Sequence, residues 1–349
     1  MTEVTTAPTA DPTANQTADQ SADPTANQTA DQTADQSADP TADQTVDRAP
    51  VRPSSARIWL LAIRPATLPA AVSGVAVGLG ASLAVGAPFR LDTALGCLAV
   101  ALLLQIVANL ANDLSDFRKG ADTPDRTGPI RVAAAGLVSE RQLEVAIVLT
   151  VGVAGIVGLW LTVIGGPALL VVGALAIVAA VAYTGGPWPY GYRALGEVFV
   201  FIFFGFVAVV GTAYLQGGRL EPLFVVAAIP VGALTTAILV VNNLRDIPTD
   251  TAAGKRTLAV VLGARATTVE YTGLLLAAFI VPVALAVTGH GLAVLLPLLT
   301  FPIASALLRA VRTFTEPRQL NPVLKATARL ALLQSLLFAI GLAIGGAST

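Results

Sequence analysis

The chain is poor in the residues that most soluble enzymes use for chemistry and crosslinking. Among 349 residues there is one cysteine, one histidine and one methionine, and only 12% are charged. A single cysteine, Cys97, excludes an intrachain disulfide, and with one histidine no Cys/His zinc site can be assembled. The lone histidine, His290, lies between Gly289 and Gly291 at the junction of two apolar stretches and is given no role. A Ser-His-Asp or Cys-His nucleophile device is not visible either. Charge is scarce because apolar residues fill its place: 54% of the chain is hydrophobic and the mean hydropathy is +0.72, the composition of a polytopic membrane protein.

The formal net charge of −1 joins two unlike parts. The first 47 residues hold nine acids and no base, leaving 13 acids against 21 bases in the remainder. Residues 1–53 repeat TADQ, SADP and TANQ with almost no large apolar side chain. Such a tract buries too little to offset about 1–2 kcal/mol of backbone entropy per residue, so a disordered acidic tail is expected. It has no basic segment followed by an apolar one, as a signal peptide requires. Residues 54–349 form the second expected domain, a membrane body.

That body begins with ARIWLLAIR at 56–64, which reads as a short helix at the headgroup boundary. Apolar spans follow at about 66–86, 91–111, 143–163, 167–184, 195–215, 222–243, 268–288, 291–311 and 328–347. Each approaches the roughly 20 residues that cross a hydrocarbon layer as helix. The expected fold class is therefore all-α, with about nine transmembrane helices around a central cavity. With a cytoplasmic N-terminus, 19 of the 21 basic residues fall on the inside, Arg90 and Arg219 being the exceptions. This places the protein in the cell membrane with both polar connectors cytoplasmic. Nothing in it suggests nucleic-acid binding, and its spans are almost free of the mid-membrane charges that a secondary transporter needs.

Two connectors concentrate polar residues. The first reads NLANDLSDFRKGADTPDRTGPIR and carries Asn109, Asn112, Asp113, Asp116, Lys119, Asp122, Asp125, Arg126 and Arg131. The second reads NNLRDIPTDTAAGKRT and carries Asn242, Asn243, Arg245, Asp246, Asp250, Lys255 and Arg256. Asp113 and Asp116 are i and i+3, Asp246 and Asp250 are i and i+4, so each pair leaves one face of a helix end. Paired carboxylates repel unless a cation joins them. Magnesium suits them, because it takes oxygen ligands from one or two carboxylates together with substrate phosphates. A diphosphate bridged by metal to both connectors would meet Lys119, Arg126, Arg131, Lys255 and Arg256.

The pattern N-D-x-x-D-x-x-x-G-x-D at Asn112–Asp122, with D-x-x-x-D at Asp246–Asp250, resembles the paired signatures of the UbiA-type intramembrane prenyltransferases. Within that superfamily, RPATLPA at 64–70, DRTGPIR at 125–131, YTGGPWPYGYRALGEVFVFIFFG at 183–205 and AGKRTLAVVLG at 253–263 are similar to the 1,4-dihydroxy-2-naphthoate polyprenyltransferases of menaquinone synthesis. The resemblance covers about residues 57–347. It implies that Asp113, Asp116, Asp246 and Asp250 hold Mg²⁺ and diphosphate, and that Asn109, Asn112 and Asp122 complete the first motif. Lys119, Arg126, Arg131, Lys255 and Arg256 would face phosphate, Asn242 would lie at the second motif, and Tyr183 and Arg193 would flank the YTGGP loop, which would either close over the site or meet the aromatic acceptor. The implied partners are a polyprenyl diphosphate, dihydroxynaphthoate and the lipid bilayer; 4-hydroxybenzoate and homogentisate are the alternative acceptors. Oligomeric state and prenyl chain length are not specified by these motifs.

Overall fold

Long apolar segments in lipid must satisfy every backbone N–H and C=O internally, and the helix does so within one segment. In a computed structural model, which describes residues 53–120, 128 and 130–346, that rule is followed throughout. The helices are α1 (Ser55–Ile63), α2 (Leu68–Ala84), α3 (Leu91–Arg118), α4 (Glu140–Gly165), α5 (Ala168–Ala182), α6 (Gly196–Val200), α7 (Ala208–Gly217), α8 (Pro222–Ala252), α9 (Leu258–Val287), α10 (Phe301–Thr313) and α11 (Leu320–Gly346). A π-helical segment, Phe201–Val207, joins α6 to α7, and a 3₁₀ segment, Leu292–Thr300, leads into α10. Among the described residues there is no β-strand, only an isolated bridge between Arg193 and Arg256.

Among the described residues, eight helical stretches are long and apolar enough to cross a membrane, and the 15-residue α5 is a shorter ninth. α1 is a separate amphipathic turn, ended where Arg64 adopts a left-handed φ of 55° and the chain reverses into α2. The spans read from hydropathy stop too early at the functional ends. α3 runs to Arg118 rather than 111, and α8 to Ala252 rather than 243. At 1.5 Å per residue these helices are about 42 and 46 Å long, against a hydrocarbon layer of about 30 Å, so their polar last turns extend past it. Asp113, Asp116, Asp246 and Asp250 thus sit on helix rather than in loops.

α8 is the central helix: 72% of its most apolar stretch is buried, against 11% for α4, whose Val148, Ile156 and Val163 face outward as lipid contacts would. Around α8, the side chains of Ala237, Val241, Tyr271, Leu320 and Leu330 make one core, and Val77, Val231, Phe224, Phe338 and Leu342 a second. Helices approach closely where side chains are absent. A Cβ on Gly80 would lie 2.4 Å from Ala339 O, so α2 and α11 touch backbone to backbone. Buried polar groups pair between helices, as in Tyr271 with Thr327 at 3.0 Å and Gln334 Nε2 donating to Ala278 O at 2.8 Å.

Candidate active site

A cavity of about 720 Å³ opens among α2, α3, α5, α7 and α8. One part is apolar, walled by Val100, Leu104, Leu161, Leu169, Val172, Phe203 and Val207. The opposite part receives Asn112, Asp116, Arg131, Asn242, Asn243, Asp246, Asp250 and Lys255. An apolar chamber with a few convergent charges at one end is the usual form of a site for an amphiphile.

The α3 motif divides its two carboxylates. Asp116, 1% exposed, faces the cavity, where Oδ2 accepts from Arg131 Nη2 at 2.8 Å and Oδ1 from Tyr192 Oη at 2.6 Å. Lys255 Nζ lies 3.2 Å from the same Oδ1. Asp113 does not line the cavity. Its oxygens accept from the backbone N–H groups of Val132 and Ala133 at 3.1 and 3.4 Å, which pins the turn that carries Arg131. Asp116, Asp246 and Asp250 all line the cavity and Lys255 joins Asp116 to Asp250, while among the described residues no three carboxylates are grouped closely enough to hold a metal by themselves; Asp113 lies behind the wall. Asn112 accepts from the Thr184 hydroxyl at 2.9 Å. Asn109 donates to Ile63 O and Thr67 Oγ1 at 2.7 and 2.9 Å, so its amide secures the reversal at Arg64.

On α8, Arg245 is almost fully buried and forks onto the carboxylate of its neighbour Asp246 at 2.7 and 2.6 Å. It also donates to Asn242 Oδ1 at 2.8 Å and to Asn321 Oδ1 on α11 at 3.0 Å. One turn on, Asp250 Oδ1 is 3.8 Å from Lys255 Nζ. Asn243 donates to Glu197 Oε1 at 2.8 Å, tying α8 to α6.

Two of the expected phosphate contacts, Lys119 and Arg256, lie outside the cavity wall, as does Arg193, expected beside the YTGGP loop. Arg193 and Arg256 are exposed and form an isolated bridge in which the Arg256 N–H donates to Tyr192 O at 3.2 Å. Their neighbours Tyr192 and Lys255 do line the cavity, and Arg193 itself lies over the Trp188 ring at 5.2 Å. Lys119 is exposed beyond α3, bonding Thr184 O, with its ammonium 4.6 Å from the Tyr192 ring centre. Partial burial lowers its pKa, with Lys255 adding to the shift and Asp116 opposing it. Asp122 and Arg126 lie outside the described residues.

Tyr183 lines the cavity in T-shaped contact with Tyr190, whose ring stacks on Phe199 at 4.2 Å. Burial pushes the phenols of Tyr183 and Tyr190 well above their ordinary pKa, so both stay neutral. Gly191 donates to Tyr183 O at 2.8 Å, and a Cβ there would come within 3.0 Å of the Tyr183 ring, so this fold of the loop needs glycine. Tyr192, Arg245 and Thr184 were missed as site residues. The signals were available: an arginine beside an aspartate in an apolar helix, and a Tyr-Gly-Tyr run next to paired glycines.

The residues around Lys255 Nζ offer oxygen ligands only, from Asp116 and Asp250, with Asp246 and Asn112 also on the wall. Two converging carboxylates completed by substrate phosphate oxygens would suit a hard divalent ion, and the space between the two motifs already accommodates a positive charge.

Residues 71–345 match the UbiA prenyltransferase family. The chain belongs to that family. Relatives within it include the 1,4-dihydroxy-2-naphthoate octaprenyltransferases of Mycobacterium tuberculosis, 41% identical over 82% of this chain and 97% of the relative, and of Escherichia coli, 39% identical over 83% and 96%. The fold is that of solved UbiA homologues. An apo homologue from Aeropyrum pernix superposes with a TM-score of 0.59 at 17% identity, over 78% of this chain and 97% of the homologue. A homologue from Archaeoglobus fulgidus bound to GPP and Mg²⁺ gives 0.54 at 14% identity, over 81% and 100%.

Proposed function

We propose that this UbiA-family chain transfers a polyprenyl group from its diphosphate to 1,4-dihydroxy-2-naphthoate, releasing CO₂ and diphosphate and giving demethylmenaquinol, the hydroquinone form of demethylmenaquinone. The observation that carries this is the meeting of the two aspartate motifs at the polar end of an apolar cavity, with Lys255 between Asp116 and Asp250. The 37–41% identity to several dihydroxynaphthoate octaprenyltransferases supports the acceptor.

Asp116, Asp246 and Asp250, with Asn112, are the residues that would hold Mg²⁺. When bound, the metal neutralises charge on the departing diphosphate. Arg131 and Lys255, already beside Asp116, are placed to meet phosphate oxygens, and Arg245 holds Asp246 in orientation. The apolar wall receives the prenyl tail and keeps water from the cationic C1 that forms when the C–O bond breaks. Ring carbon then attacks C1, and loss of CO₂ from that carbon restores the aromatic ring. Tyr183, Tyr190 and Phe199 offer an aromatic wall for the acceptor, and the neutral Tyr183 hydroxyl can donate to it.

The excess of basic residues beside one set of span ends supports a reading with the N-terminus and both motifs on the cytoplasmic side of the cell membrane. Residues 1–53 stand outside the catalytic domain in this reading, and deletion of 1–50 leaves turnover within tenfold of the full chain. The decisive experiment incubates purified protein with dihydroxynaphthoate, a polyprenyl diphosphate and Mg²⁺ and weighs the product. Prenylated naphthohydroquinone, or the quinone that air oxidises it to, is expected from the native protein and not from Asp116→Asn. Product from 4-hydroxybenzoate alone would overturn the acceptor.

A further inference from the structure

Lys255 stands between the two motifs in a way that a simple phosphate-binding lysine does not require. Its ammonium lies 3.2 Å from Asp116 Oδ1 on one helix and 3.8 Å from Asp250 Oδ1 on another, with a side chain 11% exposed. Two largely buried carboxylates converging on one spot repel strongly, and the ammonium relieves that repulsion. The same relief is what a divalent metal supplies.

We propose that Lys255 is a resident counter-ion that holds the metal's place in the ligand-free enzyme and so makes tight metal binding depend on diphosphate. The proposal rests on the metal-and-diphosphate reading of this site. Three features support the exchange. The backbone at Lys255 is anchored, because its N–H donates to Asp250 O at 2.8 Å after the left-handed Gly254, so only the side chain need move. A lysine presents a compact charge on a flexible stem, whereas the neighbouring Arg245 is fixed by bonds to three residues. Finally, the Tyr192 ring centre is 4.8 Å from Nζ and offers a face on which the ammonium can remain while it turns from carboxylate to phosphate. A metal arriving alone must displace Lys255 with no new partner for the ammonium. A metal arriving with diphosphate provides one.

The test uses Mn²⁺ as the probe with the full chain in detergent micelles, reading free Mn²⁺ by electron paramagnetic resonance and adding no diphosphate. Lys255→Met is expected to bind Mn²⁺ at least about tenfold more tightly than the native protein, since a repelling charge has been removed from between the ligands. Lys255→Arg keeps the charge and is expected to bind no more tightly than native. Lys255→Gln serves in place of the methionine variant if that one does not fold. Equal, measurable affinities in the native and uncharged variants would overturn the counter-ion role alone. Absence of Mn²⁺ binding in every variant would overturn it together with the metal-dependent reading beneath it.

Discussion

Tyr192 donates its hydroxyl to Asp116 at 2.6 Å across 76 residues of chain, and its ring also lies under the ammonium groups of Lys119 and Lys255. One aromatic residue from the loop after α5 thereby joins the cationic and anionic halves of the site. The bridge between Arg193 and Arg256 fixes where that residue sits.

Tyr192→Phe keeps the ring and removes the hydrogen bond to a carboxylate. Such bonds contribute about 1.5–3 kcal/mol, so kcat/KM for the prenyl diphosphate should fall roughly 10- to 100-fold. Tyr192→Leu, which also removes the ring face, should lose more. Steady-state kinetics giving a native Phe variant would show that the hydroxyl does not position Asp116.

Arg245→Lys retains charge and loses the fork onto Asp246 and the bonds to Asn242 and Asn321. Disturbing a buried pair of this kind costs about 3 kcal/mol, which predicts a fall of about 100-fold in kcat/KM and a lower Tm. Activity and thermal unfolding measured together on one preparation check both, and an unchanged Tm with native kinetics would refute the role.

Gly80→Val places carbon against the α11 backbone, where even a Cβ would stand 2.4 Å from Ala339 O. Overpacking of this kind typically costs about 1–3 kcal/mol. The variant should unfold at lower temperature in detergent while each folded molecule turns over normally, because Gly80 is outside the cavity wall. A native melting curve would contradict the close helix contact.

Burial lowers the Lys119 pKa below its ordinary value of 10.5, so this lysine loses its proton at lower pH in the folded protein than in the unfolded chain. Carrying the charge costs stability below the folded pKa, and that cost disappears as pH rises through it. If Lys119 assists diphosphate binding as a cation, the alkaline limb of kcat/KM falls at a pH below that of a free lysine. Lys119→Arg, always charged, should move the limb upward; a limb unmoved by the substitution would exclude Lys119 as its source.

Much of this protein was legible in its sequence. The apolar runs demanded helices because lipid leaves no other way to satisfy the backbone, and the spacing of Asp246 and Asp250 put both on one helix face that does reach the cavity. The motifs themselves named the family. Hydropathy could not show that α3 and α8 continue through them, since polar residues end an apolar window without ending a helix.

What the tertiary structure alone decided is which member of each pair faces inward. Asp113 and Asp116 share a face by spacing, yet Asp113 binds the backbone at Val132 and Ala133 while Asp116 enters the cavity. Lys255 and Arg256 are adjacent cations, yet Lys255 is buried against Asp116 while Arg256 is exposed beside Arg193. Local periodicity sets the relative direction of two side chains on one element. Where the cavity lies relative to that element depends on contacts dozens of residues away, and no local pattern encodes it.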